Sequence, residues 1–436
     1  MQKILLLIAS LFYFNFILAE NEIKSWQGIH ETPLSCLEQQ FAEPPVEFAN
    51  HVIWGWEGKM DKKTICNDLD SIKKKGFRAV IFEAGYKLPF KYLSEEWFKA
   101  IRTGVLEAKK RGMKVWIIDE GKYPSGFAGG KFSQERPDLR MQALVIGDTI
   151  QIKRGEVMTN HKIAPEIISA VAVSTSGAPN RTVAINNGEI SFNAGLDDWK
   201  VLLVKSDFRT AVTRAVNNPN GGKDATNSLC DYLNPIAVQQ FIDWTHEQYK
   251  KYLGKELGTT VLGFRGDEPD YAHLPWTPSI DQTFKESKGY GPTPYLASFF
   301  SASPTIQVQR VKADYWDVWA ILFATHFFKL QADWCAANGV AHITHLNKEH
   351  EMPACVKAEG DYFRNLSKVQ IPGVDAIWNQ IWPGTLNDFP KLASSVAHVY
   401  GKPSAFSESF AAFHISPTIP QAKFVVDHQI ARGINF

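Results

Sequence analysis

From residue 50 onward, short runs of β-forming residues alternate with segments of helical period, and no other feature limits the fold as tightly. Parallel βα units produce that alternation, whereas a sandwich or a helical bundle does not. Strand candidates are His51 to Trp56, Ala79 to Phe82, Lys114 to Asp119, Val261 to Phe264, Val340 to Thr344, Val374 to Trp378, Ser404 to Ser407 and Ile434 to Phe436. Eight such strands imply a (β/α)8 TIM barrel over residues 50–436, an α/β fold with an inner cylinder of strands beneath a ring of helices.

Helix signals fill the gaps. Asp61 is placed to cap a segment carrying Ile65, Leu69 and Ile72 on one face, and Ser94 to cap another carrying Trp97, Ile101 and Val105. Asn234-Pro235 opens a third, a capping residue followed by proline at the first helical position. Trp316, Trp319, Phe323, Phe327, Leu330 and Trp334 fall on one stripe, read here as barrel packing. Leu392, Val396 and Tyr400, then Ile419, Ala422, Val426 and Ile430, mark two more helices.

Residues 141–230 break the rhythm. Val171-Ala-Val173, Val183-Ala-Ile185 and Val201-Leu-Leu-Val204 lie between Gly, Asn and Pro, which predicts an antiparallel β subdomain inserted after the third strand. No eighth helix follows the eighth strand candidate, so the barrel is expected to be truncated at its C-terminal end. A longer parent protein, closure by the N-terminal segment 20–49, or a defective protein would each account for that.

At 436 residues and 44% hydrophobic, the chain can bury one large core. Its 47 basic and 46 acidic residues leave a formal charge of +1, which offers nucleic acid and anionic lipid no electrostatic footprint. Residues 1–19 run from Met1-Gln-Lys3 through an apolar stretch to Ala19, the pattern of a signal peptide, although Asn15 and Ile17 depart from it. Export to the periplasm or beyond is therefore expected, with a retained membrane anchor as the alternative. Cys36, Cys66, Cys230, Cys335 and Cys355 have no CxxC spacing, so a zinc ribbon is not expected and free thiols are the simpler reading. Oligomeric state is not legible.

Barrel enzymes carry their working groups at the C-terminal ends of strands. Gly266-Asp267-Glu268-Pro269 follows the fourth strand and Ser407-Glu408 the seventh. Hydrolysis of a glycosidic bond needs two carboxyls across the scissile bond, one to protonate the leaving oxygen and one to act as base or nucleophile. Glu268 and Glu408 are the catalytic candidates, with Arg265 close enough in sequence to lower the pKa of Asp267 or Glu268. Trp54, Trp56, Glu83, Asp119, Glu120, Asp267, His342, His345, Glu349, Trp378 and Gln380 lie at other strand ends, and such a ring of aromatic and polar groups suits a polyhydroxylated ligand. The loop Tyr123-Pro-Ser-Gly-Phe-Ala-Gly-Gly130 lacks phosphate-cradle and serine-elbow spacing, so its glycines are expected to serve sharp turns at the barrel mouth.

Taken together, Tyr123 to Gly130, Asp231-Tyr-Leu-Asn-Pro235, Gly266-Asp-Glu-Pro269, Thr344-His345 with Glu349, Pro372-Gly-Val-Asp375, Ala397-His398, Ser407-Glu408 and Gly433-Ile-Asn435 resemble glycoside hydrolase family 106, the α-L-rhamnosidases. The resemblance implies a barrel with an inserted β subdomain and downstream β domains, inversion of configuration, and a calcium ion (Ca2+) that helps hold the sugar. An inverting role follows, with Glu268 as acid and Glu408 as base. Barrel hydrolases with Asn-Glu-Pro on the fourth strand are instead retaining, and Asp-Glu-Pro is similar to that arrangement. Two rival readings stand beside this one: a carbohydrate-binding protein without turnover, and a metal-dependent lyase or isomerase using His342, His345 and Glu349.

Overall fold

The computed structural model describes residues 33–43, 46, 49–121, 123–209, 213–214, 223–224, 228–269, 271, 274–385, 387–413 and 416–436. The expected signal peptide at 1–19 lies outside the described residues, as does most of segment 20–49. In chain order the strands are β1 (His51–Trp56), β2 (Ala79–Ala84), β3 (Lys114–Ile118), β4 (Gln142–Ile152), β5 (Val157–Lys162), β6 (Ile167–Ser174), β7 (Arg181–Val183), β8 (Ile185–Asn186) and β9 (Glu189–Asn193). Then come β10 (Trp199–Phe208), β11 (Thr213–Arg214), β12 (Lys223–Asp224), β13 (Val261–Gly266), β14 (Pro275–Trp276), β15 (Ala341–Thr344), β16 (Ile371–Ala376) and β17 (Phe406–Ser409).

One parallel sheet runs β1-β2-β3-β13-β15-β16-β17, matching the first seven expected strands with small shifts of boundary. Residues 434–436 are not a ladder strand but lie in the eighth place. The N–H groups of Asn435 and Phe436 each donate to the Ala405 carbonyl at 3.1 Å, and the Ser407 N–H donates to Phe436 O at 3.2 Å. On its other side the Phe436 ring meets His51 of β1 at 4.6 Å, edge to face.

Strand alternation sorts the barrel into two cores. Ile81, Trp116, Ile118, Leu262, Ala341, Ile343, Ile371 and Phe406 pack together inside the cylinder. Trp56, Val80, Phe82, Val115, Ile117, Val261 and Phe264 face outward onto helix residues such as Ile65, Leu69, Trp97, Ile101 and Tyr249. Val261 and Phe264 both point outward because the register against β3 shifts between Val261 and Gly263. Glycine is required there: a Cβ on Gly263 would stand 2.0 Å from the Ala341 carbonyl. The shift turns Arg265 to the inside.

The helices begin where their caps predict. Asp61 accepts from the Thr64 N–H at 2.9 Å, Ser94 from Trp97 at 3.3 Å and Asn234 from Ile236 at 3.0 Å. The aromatic stripe differs from a plain helix: Ile306–Leu322 and Lys329–Ala337 are joined through a π-helical stretch, Phe323–Phe328. Trp319, Phe323 and Phe327 are buried, while Trp316, Leu330 and Trp334 are only partly so. The stripe is packing, as expected.

The inserted subdomain is antiparallel, with two larger sheets, β14-β4-β10-β6-β7 and β5-β9-β8, and the short β11-β12 pair. Ile152, Val183, Ile190, Phe192, Trp199 and Val201 form its own core. Strand β14 comes from outside the insertion, out of the loop after β13, and pairs with β4, so the segment following Glu268 is stitched to the subdomain. Two residues carry no periodicity, which is why β14 is invisible in the sequence.

Candidate active site

The alternation that fills the barrel with apolar side chains also decides what lines its mouth. Following Ile81, Leu262, Ile343 and Phe406 up their strands, the next inward positions are Glu83, Arg265, His345 and Glu408, and the same phase from Ile371 passes Gly373 to reach Asp375. Asp267 and Glu268 complete the ring just beyond β13. His345 Nε2 lies 3.6 Å from Glu268 Oε1, 3.7 Å from Asp267 Oδ1 and 4.0 Å from Glu408 Oε2. The two candidate glutamates, 140 positions apart in the chain, thus converge on one imidazole nitrogen. Arg265 Nη2 touches Glu408 Oε2 and lies 3.4 Å from Asp267 Oδ1.

Depth separates the charges. The side chains of Arg265 and His345 are 2% and 1% exposed, whereas those of Glu268, Asp267 and Glu408 are 17%, 19% and 15% exposed. Two cations therefore form a floor, and three carboxyls face the opening above it. Burial by itself would push the His345 pKa down, but Glu268 and then Asp375 and Asp267 bring it up to about 9. The 3.4 Å approach of Nδ1 to the Arg265 guanidinium opposes a second ring proton, but three carboxyls at the other nitrogen outweigh it. Burial raises Asp375 to about 9 and Asp267 to about 6. It raises Glu349 well above its usual value as well. Glu268 moves the other way despite burial, because His345, with help from Asp375 and Tyr123, holds it below its usual value. At neutral pH the cluster therefore keeps a proton on Asp375, beside an ionised Glu268.

Several residues expected to contact a ligand do other work. Trp56 is fully buried among Trp54, Phe82 and Trp97, because its position on β1 points outward, and Trp54 shares that outward packing. His342 faces the helix layer and is buried, with its N–H bonded to Gln370. Asp119 is buried and accepts from Ser125 Oγ at 2.6 Å. Glu120, also buried, accepts from the N–H groups of Gly121, Phe127, Ala128 and Gly129, so it holds the glycine-rich loop and is no ligand of a sugar. The glycines of that loop make room for protein: a Cβ on Gly126 would stand 2.5 Å from the Tyr232 ring. Glu349 accepts from the Leu346 N–H at 2.9 Å, and Gln380 spends its amide on Ile377 N–H and His350. Glu83 stays inward near Arg265, and Trp378 stands 57% exposed on the rim.

Asp375 and Tyr123 belong to the cluster as well. Both stand in quoted motifs, but only the inward phase of β16 would have singled out Asp375. Asn347 Nδ2 donates to Tyr123 Oη at 3.0 Å, which aims the phenol at the Glu268 side.

Among the described residues, two sets could gather around an ion: Asp267, His345 and Glu408, and Glu268, His345 and Asp375. Each supplies two carboxylates and one imidazole nitrogen, whereas calcium prefers an all-oxygen shell. Arg265 already compensates the first set. These residues do not make a calcium cage on their own. All five cysteines are free, with Cys230, Cys335 and Cys355 buried.

A family model described as alpha-L-rhamnosidase, glycoside hydrolase family 106, matches residues 157–436. A curated protein of Formosa agariphila, provisionally named a beta-glucuronidase, is 24% identical over 454 aligned positions, covering 91% of this chain and 37% of the relative. The solved rhamnosidase from Novosphingobium sp. PP1Y superposes with a TM-score of 0.67 at 16% identity, over 93% of this chain and 56% of that one. This likeness shows the shared fold. The chain thus spans well under half of the curated relative and just over half of the solved one.

Proposed function

The chain belongs to glycoside hydrolase family 106, the alpha-L-rhamnosidases, and from that membership we propose that it hydrolyses a terminal, rhamnose-like glycosidic bond in a plant or microbial polysaccharide. The convergence of Glu268 and Glu408 on His345 Nε2 carries this reading. Glu268 protonates the leaving oxygen, drawing on the proton that Asp375 keeps beside it. Glu408, touched by a guanidinium that can only donate, takes the role of base towards water. A uronate would bring its own negative charge to a mouth lined by Asp267, Glu268 and Glu408, which favours a neutral sugar over a glucuronide. The charged and then apolar start of the sequence supports export, which would bring the enzyme to such polymers.

The test uses the full-length protein with an aryl α-L-rhamnoside, an aryl β-glucuronide and pectin fragments. Rhamnose release should exceed glucuronate release, and Glu268→Gln and Glu408→Gln should each cost roughly 10^2 to 10^4 in kcat. Unchanged turnover in both variants would end the assignment. Proton NMR of the first-formed anomer distinguishes inversion from retention.

A further inference from the structure

Glu268 holds a backbone conformation that a non-glycine residue does not choose, with φ at 37°. Such a conformation is strained for a residue with a side chain and persists only where its surroundings over-determine it. What surrounds it is the loop after β3. Ser125 and Asp267 are bonded reciprocally: the Ser125 N–H donates to the Asp267 carbonyl at 2.9 Å, and the Asp267 N–H donates to Ser125 Oγ at 2.7 Å. The single hydroxyl proton of Ser125 goes to Asp119 Oδ1 at 2.6 Å, which turns an Oγ lone pair towards the Asp267 amide. Asp119 is tied back to β13 through its own N–H, 3.0 Å from the Arg265 carbonyl. Ser125 is further pinned by Tyr232 Oη, which donates to its carbonyl. Ser125 and Asp119 are both fully buried, so no water competes for these bonds.

We propose that Ser125, oriented by Asp119, is a positioning residue for the reaction: it latches the Asp267 peptide so that Glu268 is presented to the substrate in its left-handed conformation. This rests on the reading of Glu268 as a catalytic carboxyl. The latch touches neither sugar nor reacting atoms. It acts on kcat, because a carboxyl displaced by about 1 Å can cost on the order of 100-fold in rate while substrate still binds. The loop motif from Tyr123 to Gly130 thereby gains a purpose beyond turning the chain. Glu120 hangs the loop, and Ser125 is the point at which it grips β13.

The test compares Ser125→Ala, Asp119→Ala and Asp119→Asn in the full-length protein. With an aryl α-L-rhamnoside, Ser125→Ala and Asp119→Ala should lower kcat by about 10- to 100-fold and leave KM within about threefold. Asp119→Asn keeps an oxygen to accept the Ser125 proton and should stay within about threefold of wild type in both. A merely structural role would instead depress the melting temperature without splitting kcat from KM. Hydrogen exchange at the Asp267 amide, which should accelerate at least about tenfold in Ser125→Ala, reads the latch without any turnover. Unchanged kcat in Ser125→Ala, or unchanged exchange at Asp267, overturns the proposal. If Ser125→Ala does not fold, the two Asp119 variants carry the same comparison. If wild type releases no sugar, the hydrolase reading fails, and the exchange measurement still decides the latch.

Discussion

Asp375 keeps a proton that a carboxyl in water would have lost. Its pKa rises from 3.8 in the unfolded chain to about 9, chiefly through burial. Between those values the unfolded chain releases a proton that the folded chain retains, so this residue makes stability fall as pH rises from 4 towards 9. His345, raised to about 9, also contributes stability that is complete below 6.5 and lost as pH climbs through 9. Asp375→Asn imitates the neutral acid and removes the first effect. At pH 8 it should raise Tm by roughly 2 to 4 °C, and near pH 4 the gain should vanish. Its kcat should nonetheless fall at least about tenfold, because an amide has no proton to pass to Glu268. Calorimetry at the two pH values decides it, and a lower Tm at pH 8 would contradict the account. Sequence alone exposed Glu268 and Glu408 because each is acidic at the end of a β-forming run. It did not single out Asp375, which sits inside such a run, and the two-residue phase through Ile371 and Gly373 marks it only once the inner face is known. Applied to β1, the same phase turns Trp54 and Trp56 outward, which is why aromatic type alone misplaced them.

Loops carry a second layer of the site, and their chemistry was harder to foresee than that of the strands. The turn signals of residues 123–130 were plain, but a glutamate accepting four backbone N–H groups has no local spacing to announce it. Glu120→Ala would leave those donors buried, at about 1 to 3 kcal/mol for each that finds no water. Denaturant unfolding should therefore show a loss above roughly 3 kcal/mol, and a loss under about 1 kcal/mol would show that the loop holds itself. Trp378 poses the opposite case. It stands exposed after β16 in a left-handed conformation, φ 57°, with its N–H on the Ala411 carbonyl in the loop that follows Glu408. Strain spent to hold an aromatic face in the open beside the mouth fits a platform for the leaving group. Trp378→Ala should raise KM for an oligosaccharide by about 5- to 20-fold, while a small aryl glycoside loses less than about threefold. Equal effects on both substrates would remove it from the binding surface.

At the scale of the molecule, the seven parallel strands were legible from alternation and the closure was not. Local pattern shows where strands occur, but what joins the last to the first is a long-range contact. Here residues 434–436 lie along β17 by backbone hydrogen bonds, and the Phe436 ring reaches across to His51 and Trp116. Glu408 is one residue beyond Ser407, whose N–H donates to Phe436 O, so the seam and the site share a strand. Removing the ring by Phe436→Ala deletes the apolar contact that spans the seam while leaving its backbone bonds in place. Because the ring is only partly buried, the cost should be about 1 to 3 kcal/mol, below that of a fully buried phenylalanine. The loss should be local: faster hydrogen exchange at Ser407 and a lower kcat through a looser Glu408, with the inserted subdomain's own core at Phe192 and Trp199 unaffected. Exchange that accelerates equally in β10 and β17 would show that the ring supports the whole molecule, and wild-type exchange at Ser407 would show that the barrel closes without it.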